Sequence, residues 1–154
     1  MFLERLIVVG TDGSEGGRQA LAWALEHAGR TGATVQVVSA YAGSAPRPAA
    51  IATARNHAEV TQLRDVAAVL ATIGTPPVLA REVVLGDAVA VLTGAAAEAD
   101  MLVVGSHGRS HVRTALMGSV AAACIRAGTC PVLLVPTARV ATRQREVVTR
   151  VRRL

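Results

Sequence analysis

The chain of 154 residues predicts an α/β fold, a five-stranded parallel sheet with helices on both faces. Three observations carry that prediction. Short runs of β-branched and aliphatic residues alternate with longer stretches whose apolar residues recur at helical spacing, in the order β-α-β-α-β-α-β-α-β. Runs such as Leu6-Ile7-Val8-Val9 and Val132-Leu133-Leu134-Val135 are continuously apolar, as strands covered on both faces are. Glycine or a glycine-bearing turn stands where runs give way to helical stretches, at Gly10, Gly13, Gly86 and Gly105. Parallel strands joined in this way take right-handed crossovers.

Leu3 to Gly10 reads as the first strand and Thr11-Asp12-Gly13-Ser14 as a turn. Ser14 suits an N-cap and Glu15 the first helical turn. The first helix runs to about Arg30, with Ala20, Leu21, Ala24, Leu25 and Ala28 on one face, and Gly32 ends it. Thr34 to Tyr41, rich in valine, is the second strand. Ala42 to Ala50 reads as a loop through Gly43, Ser44, Pro46 and Pro48. A long helix is expected from about Ala50 to Ile73, with Val60, Leu63, Ala67 and Leu70 along its apolar face. Gly74-Thr75-Pro76-Pro77 closes it, and Val78 to Leu85 is the third strand, placed at an edge by Arg81-Glu82. Asp87 caps a short helix with Ala88, Val91, Leu92 and Ala95 on its face. Met101 to Val104 and Val132 to Val135 supply the last two strands, with an Ala-rich helix from Val120 between them.

Composition narrows the function. Only Phe2, Trp23 and Tyr41 are aromatic, so the core is built of Ala, Val and Leu. No apolar run approaches the ~20 residues that span a bilayer. The opening MFLERLIVVG carries charges within its apolar segment and leads into a strand, which argues against a signal peptide and for a soluble cytoplasmic domain. Residues 1–138 hold 10 arginines and 10 acidic residues, so the net charge of +5 sits on a basic tail at 139–154. That tail lacks the aromatic side chains that stack on bases, so nucleic acid is not the expected partner. Cys124 and Cys130 form no CxxC and read as small interior residues.

The informative stretch is Met101 to Ser119, MLVVGSHGRSHVRTALMGS. It reads as strand, glycine-bearing loop and helix start. Backbone N–H groups at a helix N-terminus are unpaired and partly positive. Glycines permit positive φ and let a ligand approach the backbone, and a phosphate chain suits such a loop best. The loop is neither a Walker A sequence, since the chain has no lysine, nor GxGxxG. His107 and His111 are four apart, but Gly108 between them argues against a shared helix face and hence against a metal site. No nucleophile–base pattern such as GxSxG is present.

The spacing Gly105-x2-Gly108-x9-Gly118-Ser119 resembles the ATP-binding signature of the universal stress protein family. Ile7-Val8-Val9-Gly10-Thr11-Asp12-Gly13-Ser14 resembles the family's opening strand and acidic turn, and Cys130-Pro131-Val132-Leu133-Leu134-Val135 its closing strand. The resemblance implies a Rossmann-like sheet of strand order 3-2-1-4-5, a universal stress protein domain over 1–138 and a ligand crevice where the winding reverses. The Asp12 turn and the Gly105 loop should then be neighbours. It implies ATP as ligand, with Gly10, Asp12 and Ala40 toward the nucleoside and the backbone of Ala40 meeting adenine. Gly105, Ser106, His107, Gly108, Arg109, Ser110, His111, Gly118, Ser119 and Val120 would surround the phosphates. Arg109 or Arg113 could replace the missing lysine, and Mg²⁺ would be held by the phosphates and Ser119. A homodimer through the strand at 132–135 and unnamed protein clients are implied as partners. The expected function is an ATP-binding regulatory module in stress response, hydrolysing slowly at most. The alternatives are a slow ATPase or phosphotransferase using the same pocket and a nucleotide-free dimeric interaction domain.

Overall fold

The structure, a computed structural model, describes residues 5–41, 47–108 and 117–136. Five strands, β1 (Leu6–Gly10), β2 (Thr34–Tyr41), β3 (Leu79–Leu85), β4 (Met101–Gly105) and β5 (Val132–Val135), form one parallel sheet in the order β3-β2-β1-β4-β5. The helices between them are α1 (Glu15–Thr31), α2 (Pro48–Leu70), α3 (Ala88–Ala95) and α4 (Ser119–Ala127). The expected class and strand order are therefore those observed.

Strand alternation divides the core in two. Ile7, Val9, Val35, Val37 and Val103 point to one face, where α1 and α2 cover them with Ala20, Leu21, Ala24, Leu25, Val66 and Val69. Val8, Val38, Leu102 and Val104 point to the other, against Leu92, Ala96, Ala121 and Cys124 of the α3 and α4 layer. The α1 face read from the sequence is wholly buried, and its caps are as expected. Ser14 Oγ accepts from the Gly17 N–H at 3.1 Å, and Gly32 ends the helix at φ 78°. Asp87 caps α3 through the Ala90 N–H at 3.1 Å.

The face expected for α2 is not the buried one, which is centred about 150° away around the helix. Val60 and Leu63 are 66% and 52% exposed, Ala67 is exposed, and only Leu70 of that set is partly buried. The inward residues are Thr61, Gln62, Asp65, Val66 and Val69. The reason is polar matching. Gln62 Nε2 donates to Ser39 Oγ at 2.9 Å and to the Glu82 carbonyl at 3.0 Å, tying α2 to β2 and β3. A buried amide with such partners is tolerated where an unpaired one is not. The helix also begins earlier than expected, with Pro48 in its first turn, and α4 begins at Ser119. β3 and β5 are the sheet edges, and all four β5 residues are partly buried. Of the expected loop, residues 42–46 with Gly43, Ser44 and Pro46, and the whole tail at 139–154, lie outside the described residues.

Candidate functional site

The sheet reverses its winding between β1 and β4, and a cleft of about 310 Å³ opens at the carboxyl ends of these strands. Asp12 and Gly105, distant in sequence, both line it. The turn after β1 is held at several points. The Thr11 N–H donates to the Val38 carbonyl at 3.0 Å, and Thr11 Oγ1 lies 2.9 Å from Ser39 Oγ. The Ser14 N–H donates to Asp12 Oδ1 at 2.9 Å, and the Ser14 hydroxyl donates to the same oxygen. Gly13 between them has φ 81°, a conformation that L side chains resist. Asp12 therefore shapes its own turn through Oδ1. Its Oδ2 lies on the side of Gly108, 2.8 Å from where a Cβ there would sit.

On the β4 side, Ser106 is buried, and its N–H donates to the Val135 carbonyl at 3.0 Å. Its carbonyl accepts the Gly118 N–H, which brings the start of α4 against the β4 loop. Ser106 Oγ lies 3.1 Å from His107 Nδ1. Gly118 is the N-cap of α4, so no side chain caps this helix start, and the first N–H groups of α4 belong to Ser119, Val120 and Ala121 at the cleft wall.

The three loop glycines are there for different reasons, and positive φ is not among them, since the positive-φ glycines of the described residues are Gly13, Gly32 and Gly86. A Cβ on Gly105 would stand 2.6 Å from the Gly16 backbone, so its size is set by the packing of α1 on β4. One on Gly108 would meet Asp12 Oδ2 at 2.8 Å. One on Gly118 would find only ordinary contacts, at 3.4 Å or more, among the described residues.

The cleft brings together Gly10, Asp12, Ala40, Gly105, Ser106, His107, Gly108, Gly118, Ser119 and Val120. Arg109, Ser110, His111 and Arg113 lie outside the described residues, and among the described ones no arginine lines the cleft. Sequence reasoning missed its apolar floor of Val38, Ala88 and Leu92. Leu92 reaches so close to β1 that a Cβ on Gly10 would lie 2.8 Å from its Cδ1, and a side chain there would displace the end of Leu92. The signal available was the position of α3, the helix opening beyond β3 at the same end of the sheet as the turn. An apolar floor with a helix start and a carboxylate at its rim can take a flat apolar ring bearing a hydroxylated, anionic extension. Among the described residues no group of three or more His, Cys, Asp or Glu side chains is placed to hold a metal ion, and no helix is long and apolar enough to cross a membrane.

Residues 5–136 match the family model described as the universal stress protein family. Among solved structures, the chain is similar to a universal stress protein in complex with cAMP, at 28% identity and TM-score 0.69 over 87% of this chain and 98% of that one. It is similar to a universal stress protein family member from Burkholderia pseudomallei at 29% identity and TM-score 0.63, over 85% of this chain and 95% of that one. A universal stress protein from Archaeoglobus fulgidus in complex with dAMP shares the fold at 19% identity and TM-score 0.60, over 87% and 98%. No curated protein matches the chain.

Proposed function

The chain belongs to the universal stress protein family, and from that premise we propose that it is an ATP-binding regulatory module acting in stress response through nucleotide-dependent contacts with protein clients. The observation that carries this reading is Gly118. Neither its φ of −73° nor any described neighbour requires a glycine there, while a ligand lying along the start of α4 would. In this reading the adenine rests on Val38, Ala40 and Leu92, and Asp12 accepts from the ribose. The phosphates lie between Gly108 and Gly118, against the N–H groups of Ser119 and Val120. Mg²⁺ would neutralise the phosphates there, with the Ser119 hydroxyl as its one protein ligand. The cAMP bound by the similar protein supports an adenine nucleotide and leaves phosphate number to be measured.

Binding with slow hydrolysis is the reading taken over catalysis, because phosphoryl transfer needs positive charge on the transferring group and no arginine lines the cleft among the described residues. β5 supports a homodimer: it is an edge strand, apolar throughout and only partly covered. The test is mass spectrometry of freshly purified protein, with titration of ATP, AMP and cyclic AMP alongside. An adenine nucleotide carried or taken up by the protein is the expected result. Protein that neither carries nor takes up any of the three contradicts the reading. ADP release well above about one per minute under excess ATP–Mg would favour the enzyme instead.

A further inference from the structure

Each of the three guanidinium nitrogens of Arg18 donates one hydrogen bond. Its Nε and Nη2 donate to Glu15 Oε2 at 3.1 and 2.7 Å. Its Nη1 donates to the Gly13 carbonyl at 2.8 Å and stands 3.9 Å from Asp65 Oδ1. Asp65 projects from α2, its side chain 4% exposed, and its Oδ2 has no hydrogen-bond partner among the described residues. Arg64 Nε, the other nearby cation, is 3.8 Å from Oδ1. A buried carboxylate so poorly bonded is a weak stabilising device. What it does provide is a buried carboxyl group 3.9 Å from the half-exposed Arg18 guanidinium. Because the guanidinium is a rigid planar fork, holding it at Glu15 and Asp65 also fixes the edge that meets Gly13.

Gly13 is the residue between Asp12 and Ser14, and it has φ 81° in the turn where Ser14 donates to Asp12 Oδ1. We propose that Arg18 is a positioning residue for nucleoside recognition: by donating to the Gly13 carbonyl from a guanidinium held at Glu15 and set 3.9 Å from Asp65, it fixes the direction in which the Asp12 carboxylate faces the cleft. The inference rests on Asp12 meeting the nucleoside of the bound nucleotide. It adds a residue that does not itself line the cleft.

The experiment is a double-mutant cycle on the full chain, with Arg18→Gln, Asp12→Ala and the pair, titrating ATP and inorganic triphosphate. With Asp12 present, Arg18→Gln weakens ATP by about fivefold, the loss of one aligned hydrogen bond. In the Asp12→Ala background the same change weakens ATP by less than about twofold, since the two act as a unit. Triphosphate affinity moves by less than about twofold throughout. A merely structural role would weaken both ligands in both backgrounds, and that result overturns the proposal. So does an Arg18→Gln protein that binds ATP as the wild type does. Asp12→Ala without effect on ATP would instead remove the reading of Asp12, and the proposal with it. Should Arg18→Gln not fold, Arg18→Lys carries the same cycle. It keeps a cation beside Asp65 but replaces the planar fork with a single ammonium, so ATP weakens only while Asp12 is present, and equal weakening in both backgrounds overturns the proposal.

Discussion

Replacing Gly16 by alanine tests how closely α1 must approach the β4 loop. The new Cβ would lie 2.2 Å from the His107 carbonyl oxygen and 3.3 Å from its carbon. Non-bonded heavy atoms settle at about 3.5–4.0 Å, so the gap is short by more than 1 Å. Backbone stands on both sides, so no flexible side-chain end can swing away. Either α1 retreats from Gly105 or the His107 peptide turns. Overpacking of this kind costs about 1–3 kcal/mol, and with backbone on both sides we take about 3. The better helix propensity of alanine returns about 1 kcal/mol, leaving a net destabilisation of about 2. For a chain of this size that lowers the melting temperature by about 4–8 °C. Gly94→Ala is the control, because in α3 its Cβ meets nothing within 4 Å. It should stabilise by up to about 1 kcal/mol. Thermal unfolding of the two variants beside the wild type, followed by circular dichroism, gives the comparison. A Gly16→Ala protein melting at or above the wild-type temperature would refute the close approach of α1 to the loop.

Gly118→Val should leave the melt nearly unchanged, because φ −73° and ψ 168° suit valine, while ATP affinity falls by at least about tenfold, or 1.4 kcal/mol. Calorimetric titration checks both ligand and variant, and unchanged affinity in the folded variant would remove Gly118 from the phosphate site. Leu134→Asp should convert a dimer at micromolar concentration into a folded monomer, read by light scattering on a sizing column. A wild-type monomer, or a dimer that survives the change, rules out the β5 interface. Cys124 is fully buried, and burial raises its thiol pKa. Its thiol is therefore less ionised than an ordinary one at any given pH, and it is shielded from reagents. Iodoacetamide should label the part-buried Cys130 first and Cys124 only on unfolding, and early labelling of Cys124 in peptide mapping would contradict its burial.

The fold was legible because strand runs and glycine turns mark the elements and α1 has a clean apolar period. Strand order came with the resemblance carried by three motifs. What escaped reading depends on partners distant in sequence. Periodicity favoured Val60 and Leu63, yet Gln62 turns inward because Ser39 and the Glu82 carbonyl await its amide. No pattern within α2 announces that. Glycine was readable as a demand for space but not for whose space: Gly105 yields to Gly16, Gly10 to Leu92 and Gly108 to Asp12. The apolar floor was hidden for the same reason, since Leu92 reads as a helix-face residue until the sheet brings it over β1.

Titration of ATP–Mg into nucleotide-stripped protein tests the central claim most directly. The expected result is saturable binding of one ATP per chain, competed by AMP or cyclic AMP at the nucleoside end and lost in Gly118→Val. Absence of any binding by the folded wild-type protein at millimolar ATP would contradict it.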